Sequence, residues 1–180
     1  GHLYPGIALA KALMKHNKGI EITFVGTQQG LESHVLPQEG FKLKTIFSGG
    51  LIGKRLTDTA GSSKYFLGSV TPYSNQLKTS LLDVPNNIIN THGAVSEETA
   101  LEMAKGVRNK TTADIGISTT GISGPKGGTN TKPVGLVYIG IVTPENSMVK
   151  KYNFGYGRNI HREMTTTAAL NITRLAIEQN

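Results

Sequence analysis

The 180-residue chain has no cysteine, which removes disulfides, zinc-thiolate centres and a thiol nucleophile in one step. It also lacks any apolar run near the about 20 residues that span a bilayer, and no basic-then-apolar leader precedes a small-residue cleavage site. No membrane partner is therefore expected, and the expected compartment is the cytoplasm. His16 and His34 have no carboxylate or histidine at metal-ligand spacing, so neither a metal nor a cofactor is expected. The formal charge of +7 would suit a nucleic-acid surface, but the Lys and Arg residues are scattered, without the clustering or aromatic interleaving of such a surface. An anionic metabolite or plain solubility explains the charge better, and no nucleic-acid partner is expected. The length suits a single compact domain, large enough to bury roughly 70% of its unfolded surface without staples.

What the chain does have is glycine in one place. Gly121-Ile122-Ser123-Gly124-Pro125-Lys126-Gly127-Gly128-Thr129, followed by Lys132-Pro133-Val134-Gly135, lies between two apolar runs, 115–120 and 134–142. Backbone N–H groups in such a loop are unshielded and can be held in turn conformations that form an anion-binding concavity. A phosphate-bearing small molecule is a natural guest. Taken alone, the loop serves equally as a connection whose glycines only satisfy awkward φ values.

The remaining pattern alternates helices and strands. A helix over 5–17, a strand over 20–25, a Pro37-interrupted helix over 30–39 and a strand over 41–47 come first. A helix over 49–57, a strand over 65–73 and a helix over 75–82 follow. Ser96 is an N-cap, with Val95 before it as a staple, for a helix to about Lys110 that turns Ala100, Met103, Ala104 and Val107 inward. Strands over 113–120, 134–143 and 148–155 lead to a last helix over 158–178, with Met164, Ala168, Ile172 and Leu175 as its inward face. This order predicts an α/β protein, a three-layer α/β/α sandwich on a mixed sheet.

Five signatures, in order, carry a resemblance: Arg55-Leu56-Thr57-Asp58, Gly61-Ser62-Ser63, Tyr73-Ser74-Asn75 with Lys78, His92-Gly93-Ala94-Val95-Ser96, and the glycine loop up to Gly135. Residues 49–180 resemble the CinA carboxy-terminal domain, the nicotinamide-nucleotide amidase family. The first segment resembles something else. Gly1-His2-Leu3-Tyr4-Pro5, Phe24-Val25-Gly26-Thr27 and Gly30-Leu31-Glu32-Ser33 are similar to the amino-terminal start of MurG N-acetylglucosaminyltransferases. The chain thus reads as a chimera, with residues 1–46 supplying a helix and strands that complete the sheet of a CinA-like domain at 47–180. Glycosyl transfer is not expected, because the fragment starts at the glycine-rich turn and lacks the nucleotide-sugar half.

The amidase resemblance implies hydrolysis of nicotinamide mononucleotide to nicotinate mononucleotide and ammonia, and a homodimer. It implies a serine nucleophile in a turn that reads Glu-Ser-Cys-Thr-Gly-Gly in the family, with Tyr73 and Lys78 beside it to take the proton. Counted back from Gly49-Gly50, however, Ser48 falls on the family threonine and Ile46 on its serine. Only a two-residue slip brings Ser48 into the nucleophile's place, so activity is expected to be impaired. The candidate substrate-binding residues are Gly49, Gly50, Asn75, Thr119, Thr120, Gly121, Ser123, Gly124, Gly127, Gly128, Thr129 and Arg158. Read without the resemblance, Lys78 is equally a solvated helix residue, Tyr73 a strand end and Asn75 an N-cap; Arg162 leans to a structural role.

Overall fold

The computed structural model describes residues 45–48, 50–155 and 157–178. The expected elements at 5–17, 20–25 and 30–39, and Gly49, lie outside the described residues, and so does most of the segment likened to MurG. Five strands form one sheet in the order β2-β1-β3-β4-β5: β1 (Thr45–Ser48), β2 (Phe66–Val70), β3 (Ile115–Gly121), β4 (Leu136–Val142) and β5 (Ser147–Asn153). β1 runs parallel to both β2 and β3, whereas β3, β4 and β5 form an antiparallel run. The sheet is mixed, as expected, and the strand expected over 41–47 occupies its interior rather than an edge.

Helices cover both faces. α1 (Gly50–Thr57) and α5 (Arg158–Glu178) pack on one side, and α2 (Asn75–Leu82), α3 (Asn86–His92) and α4 (Glu97–Thr111) group on the other. The strands explain the division. Ile115 and Ile117 of β3 and Val137, Ile139 and Ile141 of β4 alternate onto the α1–α5 side, where Ile52, Leu56, Ala169 and Ile172 meet them. Where α4 crosses the other face, the same strands present Gly116, Ser118 and Gly140. A Cβ on Gly140 would lie 2.6 Å from the Ala100 carbonyl oxygen, and one on Gly116 would collide with the Ala104 carbonyl. Only glycine lets α4 approach so closely.

Several expectations are corrected. The strand expected over 65–73 ends at Val70, so Tyr73 sits in a loop. α3 was not expected at all, and His92 is its last residue. The α2 N-cap is Ser74, whose hydroxyl accepts from the Leu77 N–H at 3.1 Å, and not Asn75. α5 buries His161, Thr165, Ala169, Ile172 and Ala176, while Leu175 is 38% exposed. The expected face was rotated by about one residue because threonine was counted as polar. Thr165, Thr166 and Thr173 each return the hydroxyl to the carbonyl four residues back, to His161, Arg162 and Ala169, which makes them acceptable in the interior.

Candidate functional site

β1 leads directly into α1, and β3 into the long connection to β4, so one end of the sheet gathers the strand exits of both. There lies a cleft of about 500 Å³. Gly50, Leu51 and Ile52 of α1 line it, with Thr71, Pro72, Tyr73, Asn75 and Lys78 from β2–α2. Thr119, Thr120, Gly121 and Ser123 of β3 and its loop, Arg158, His161 and Arg162 of α5, and Ala94 and Val95 before α4 also line it. Of the candidate residues, Gly50, Tyr73, Asn75, Lys78, Thr119, Thr120, Gly121, Ser123 and Arg158 therefore meet in one place. Gly124, Gly127, Gly128 and Thr129 are not among the lining residues, which corrects the expectation that the whole loop lines the site. Ser48 is the last residue of β1, in register with Val70 of β2 and Ser118 of β3.

Lys78 is the most unusual group in the cleft. The turn of α2 that carries it buries the side chain to 7% exposure, and its Nζ donates to the Pro72 carbonyl at 3.1 Å. Burial without a carboxylate partner pushes the ammonium below the usual lysine range, because the charged form loses its hydration. Tyr73, by contrast, is 82% exposed.

The opposite wall is the start of α5. Arg158 donates to the Gly124 carbonyl at 3.2 Å and so braces the glycine loop. His161 is 2% exposed, and its Nε2 lies 3.0 Å from the Gly135 carbonyl. Because a carbonyl only accepts, Nε2 carries the proton and Nδ1 presents a lone pair, which has no partner. Burial lowers the His161 pKa most; the bond to Gly135 opposes this, and the nearby Arg158 charge adds to it. His161 and Arg162 were missed or set aside in the sequence. The available signal was their place at spacings of three and four from Arg158 on one helical turn.

The loop itself is anchored rather than loose. Ile122 N–H donates to Leu136 O at 2.9 Å and Gly135 N–H to Ile122 O at 2.8 Å, closing its two stems, while Lys132 Nζ reaches His92 O at 2.7 Å. Gly124 and Gly127 have φ of 74° and 94°, which the glycines permit. Thr120 donates its hydroxyl to Ala94 O at 2.6 Å, so toward a ligand it can only accept. That bond also ties the Gly93–Ser96 turn to the end of β3. Ser96 then caps α4 by accepting from Thr99 N–H at 3.1 Å.

Four basic side chains, Lys78, Arg158, His161 and Arg162, and no carboxylate, line this cleft among the described residues. Fold and site together define an α/β domain with a cleft lined by basic groups at the strand exits. The comparisons with known proteins say which one: residues 37–177 match the CinA C-terminal domain, and the chain belongs to that family. A CinA-like protein of Desulfotalea psychrophila is 45% identical over 156 residues, 86% of this chain. Another, from Chloroherpeton thalassium, is 45% identical over 160 residues, 84% of this chain. The chain spans 38% of the length of each of these relatives. The crystal structure of the competence/damage inducible protein CihA from Agrobacterium tumefaciens superposes with a TM-score of 0.71 at 36% identity, over 76% of this chain and 84% of that one. A CinA superfamily protein of Escherichia coli gives 0.68 at 26% identity, over 76% and 79%. The match begins at residue 37 and includes β1, so the boundary drawn at 46–49 is corrected: the central strand lies within the family match. None of the three comparisons supports a MurG-like origin for the first segment. No helix among the described residues is long and apolar enough to cross a membrane.

Proposed function

We propose that the cleft is a pyridine-nucleotide amidase site, which binds nicotinamide mononucleotide and hydrolyses its carboxamide to nicotinate mononucleotide and ammonia. The observation that carries this reading is Lys78, a buried amine whose proton affinity is lowered at a cleft without carboxylates. A neutral amine is a competent base for a hydroxyl nucleophile. Ser48, at the exit of β1, supplies that hydroxyl. Its oxygen attacks the amide carbon while the proton passes to Lys78. The N–H groups of the first turn of α1, which have no intrahelical acceptor, stabilise the tetrahedral oxyanion. Lys78 returns the proton to the leaving nitrogen, ammonia departs, and water hydrolyses the ester by the same route. Tyr73 closes the exposed side.

One observation favours a second reading, binding without turnover. Ile46, which stands where the ungapped family pattern has its serine, is paired within β1 opposite Gly68 and Gly116. The test is ammonia release from nicotinamide mononucleotide. Amidase chemistry requires turnover that Ser48→Ala and Lys78→Met each reduce by at least about a hundredfold, without additivity in the double variant. Saturable binding with no ammonia favours the second reading. Turnover that survives Ser48→Ala rejects Ser48 as nucleophile. The protein is assigned a homodimeric state, which light scattering checks.

A further inference from the structure

The glycine loop between β3 and β4 is tied down at its exit by one residue. The Gly135 carbonyl accepts twice, from the Phe154 N–H at 2.8 Å and from His161 Nε2 at 3.0 Å, while the Gly135 N–H closes the loop on the Ile122 carbonyl at 2.8 Å. The loop, the exit of β5 and the start of α5 therefore converge on Gly135. Only glycine fits there, since φ is 98° and a Cβ would lie 2.6 Å from Asn153 Oδ1. The same stretch of α5 holds the loop a second time, through Arg158 and the Gly124 carbonyl. His161 is the unusual member of this junction: it is 2% exposed, and its Nδ1 is sealed from solvent with no partner. The ring thus fits its place only as the neutral tautomer with the proton on Nε2.

From this we infer that His161 is a positioning residue, which holds the exit of the glycine loop at Gly135 and releases the loop when its imidazole takes up a second proton. The inference deepens the amidase reading and rests on it only for the identity of the ligand. A proton on Nδ1 would lie in a sealed space without an acceptor, beside the Arg158 guanidinium. The ring carries it only by turning out to water, which breaks the bond to Gly135 and shifts the part of α5 that bears Arg158 and its bond to Gly124. Both holds are then lost together, and Gly121 and Ser123, at the loop's entry to the cleft, lose their fixed place. The charged and titratable groups around the ring are Arg158 and Arg162 on its own helix and Lys78 across the cleft, with Phe154 edge-on at 6.2 Å and Tyr152 stacked on Phe154 at 5.2 Å. Glu163, on the same helix, is engaged with Arg55 of α1 at 2.9 Å, and no carboxylate among the described residues pairs with the ring. Burial holds the His161 pKa below the usual 6.5 while the loop is held. The released form therefore gains by up to about tenfold per pH unit from 6.5 down to the lowered value, and levels off below it.

The experiment follows hydrogen exchange of the Ile122 and Gly135 N–H groups, which close the loop, by NMR of the full chain from pH 5 to pH 8, with protection corrected for the intrinsic pH dependence of exchange. In the unsubstituted protein protection should fall with pH below 6.5, and urea below the unfolding transition should leave it unchanged, because local release exposes little surface. His161→Gln, whose amide can still donate to the Gly135 carbonyl but does not titrate, should keep the protection and lose its pH dependence. His161→Leu, without a donor, should lower protection about threefold to tenfold at every pH. Protection that is flat with pH in the unsubstituted protein, that keeps its slope in His161→Gln, or that falls in low urea as α4 does overturns the inference; the first and third of these readings need no variant to fold. Calorimetric titration with nicotinamide mononucleotide in the unsubstituted protein and in His161→Gln then separates the two claims, since titration of the nucleotide phosphate is common to both and cancels. Affinity that weakens toward pH 5 more in the unsubstituted protein is expected. If exchange behaves as described and the mononucleotide does not bind, the positioning role stands and the amidase reading falls. If the mononucleotide turns over and exchange is flat, the reading stands and the positioning role falls.

Discussion

The two faces of the central strands solve the same packing problem in opposite ways. Toward α1 and α5, β3 and β4 project Ile115, Ile117, Val137, Ile139 and Ile141, and contact is made by bulk. Toward α4 they offer Gly116, Ser118 and Gly140, and contact is made by backbone approach, with the Ser118 hydroxyl donating to the Ala100 carbonyl. A bulky face is stabilised by area removed from water and fails when a cavity opens. A close face fails when anything is added. The difference bears on the cleft, since α4 is held by that close approach and the turn before it, from Gly93 to Ser96, contributes Ala94 and Val95 to the cleft wall.

The largest expected effect comes from opening the bulky face. Ile139→Ala, at a fully buried position, should cost about 3–4 kcal/mol and lower the urea midpoint accordingly. A cost below about 1 kcal/mol would mean that α5 collapses onto the gap and that bulk is not what holds this face. Next is Gly140→Ala, a single added methyl that would meet the Ala100 carbonyl oxygen at 2.6 Å. It should cost about 2–3 kcal/mol although it adds apolar area and strand propensity. Equal or greater stability in the same urea titration would remove the contrast between the faces.

The smallest effect sharpens the comparison through the ionisable residue that α5 buries, His161. Its pKa is lowered in the fold from the usual 6.5, so between the lowered value and 6.5 only the unfolded chain binds the proton. Stability should therefore rise with pH across that window and level off above it, and it is lowest below the folded-state pKa, where the full cost of burying the charge is felt. Urea midpoints measured from about pH 5 to pH 8 should show this slope, and His161→Leu should flatten it. An identical slope in the variant would assign it to other groups.

Much of the fold was legible. α2 and α5 have the expected bounds, α4 begins after the expected Ser96 cap, and the four inward residues named for it are buried, because caps and the spacing of apolar residues are local properties. The inward face of α5 was not legible, since its three buried threonines satisfy their hydroxyls on their own helix, which composition does not reveal. Nor was α3 legible: Asn86-Asn87-Ile88-Ile89-Asn90 carries little helical periodicity, and Ile89 is held by packing with Leu82, Val84 and Met103. Nine of the candidate residues line the cleft, Gly50, Tyr73, Asn75, Lys78, Thr119, Thr120, Gly121, Ser123 and Arg158, because the motifs sit at strand exits and helix starts.

The sequence by itself determined which residue types were available: glycines for close approach and turns, one lysine and one tyrosine in a recognisable spacing, no thiol, and a surplus of positive charge. Only the tertiary structure decided what each became. Burial in α2 lowered the pKa of Lys78 from the ordinary lysine value, and a carbonyl at Gly124 engaged Arg158 while Arg162 has no such bond among the described residues. The physical reason is that hydration and partner choice depend on what the rest of the chain brings near a group, such as the Gly124 carbonyl that Arg158 meets from 34 residues away.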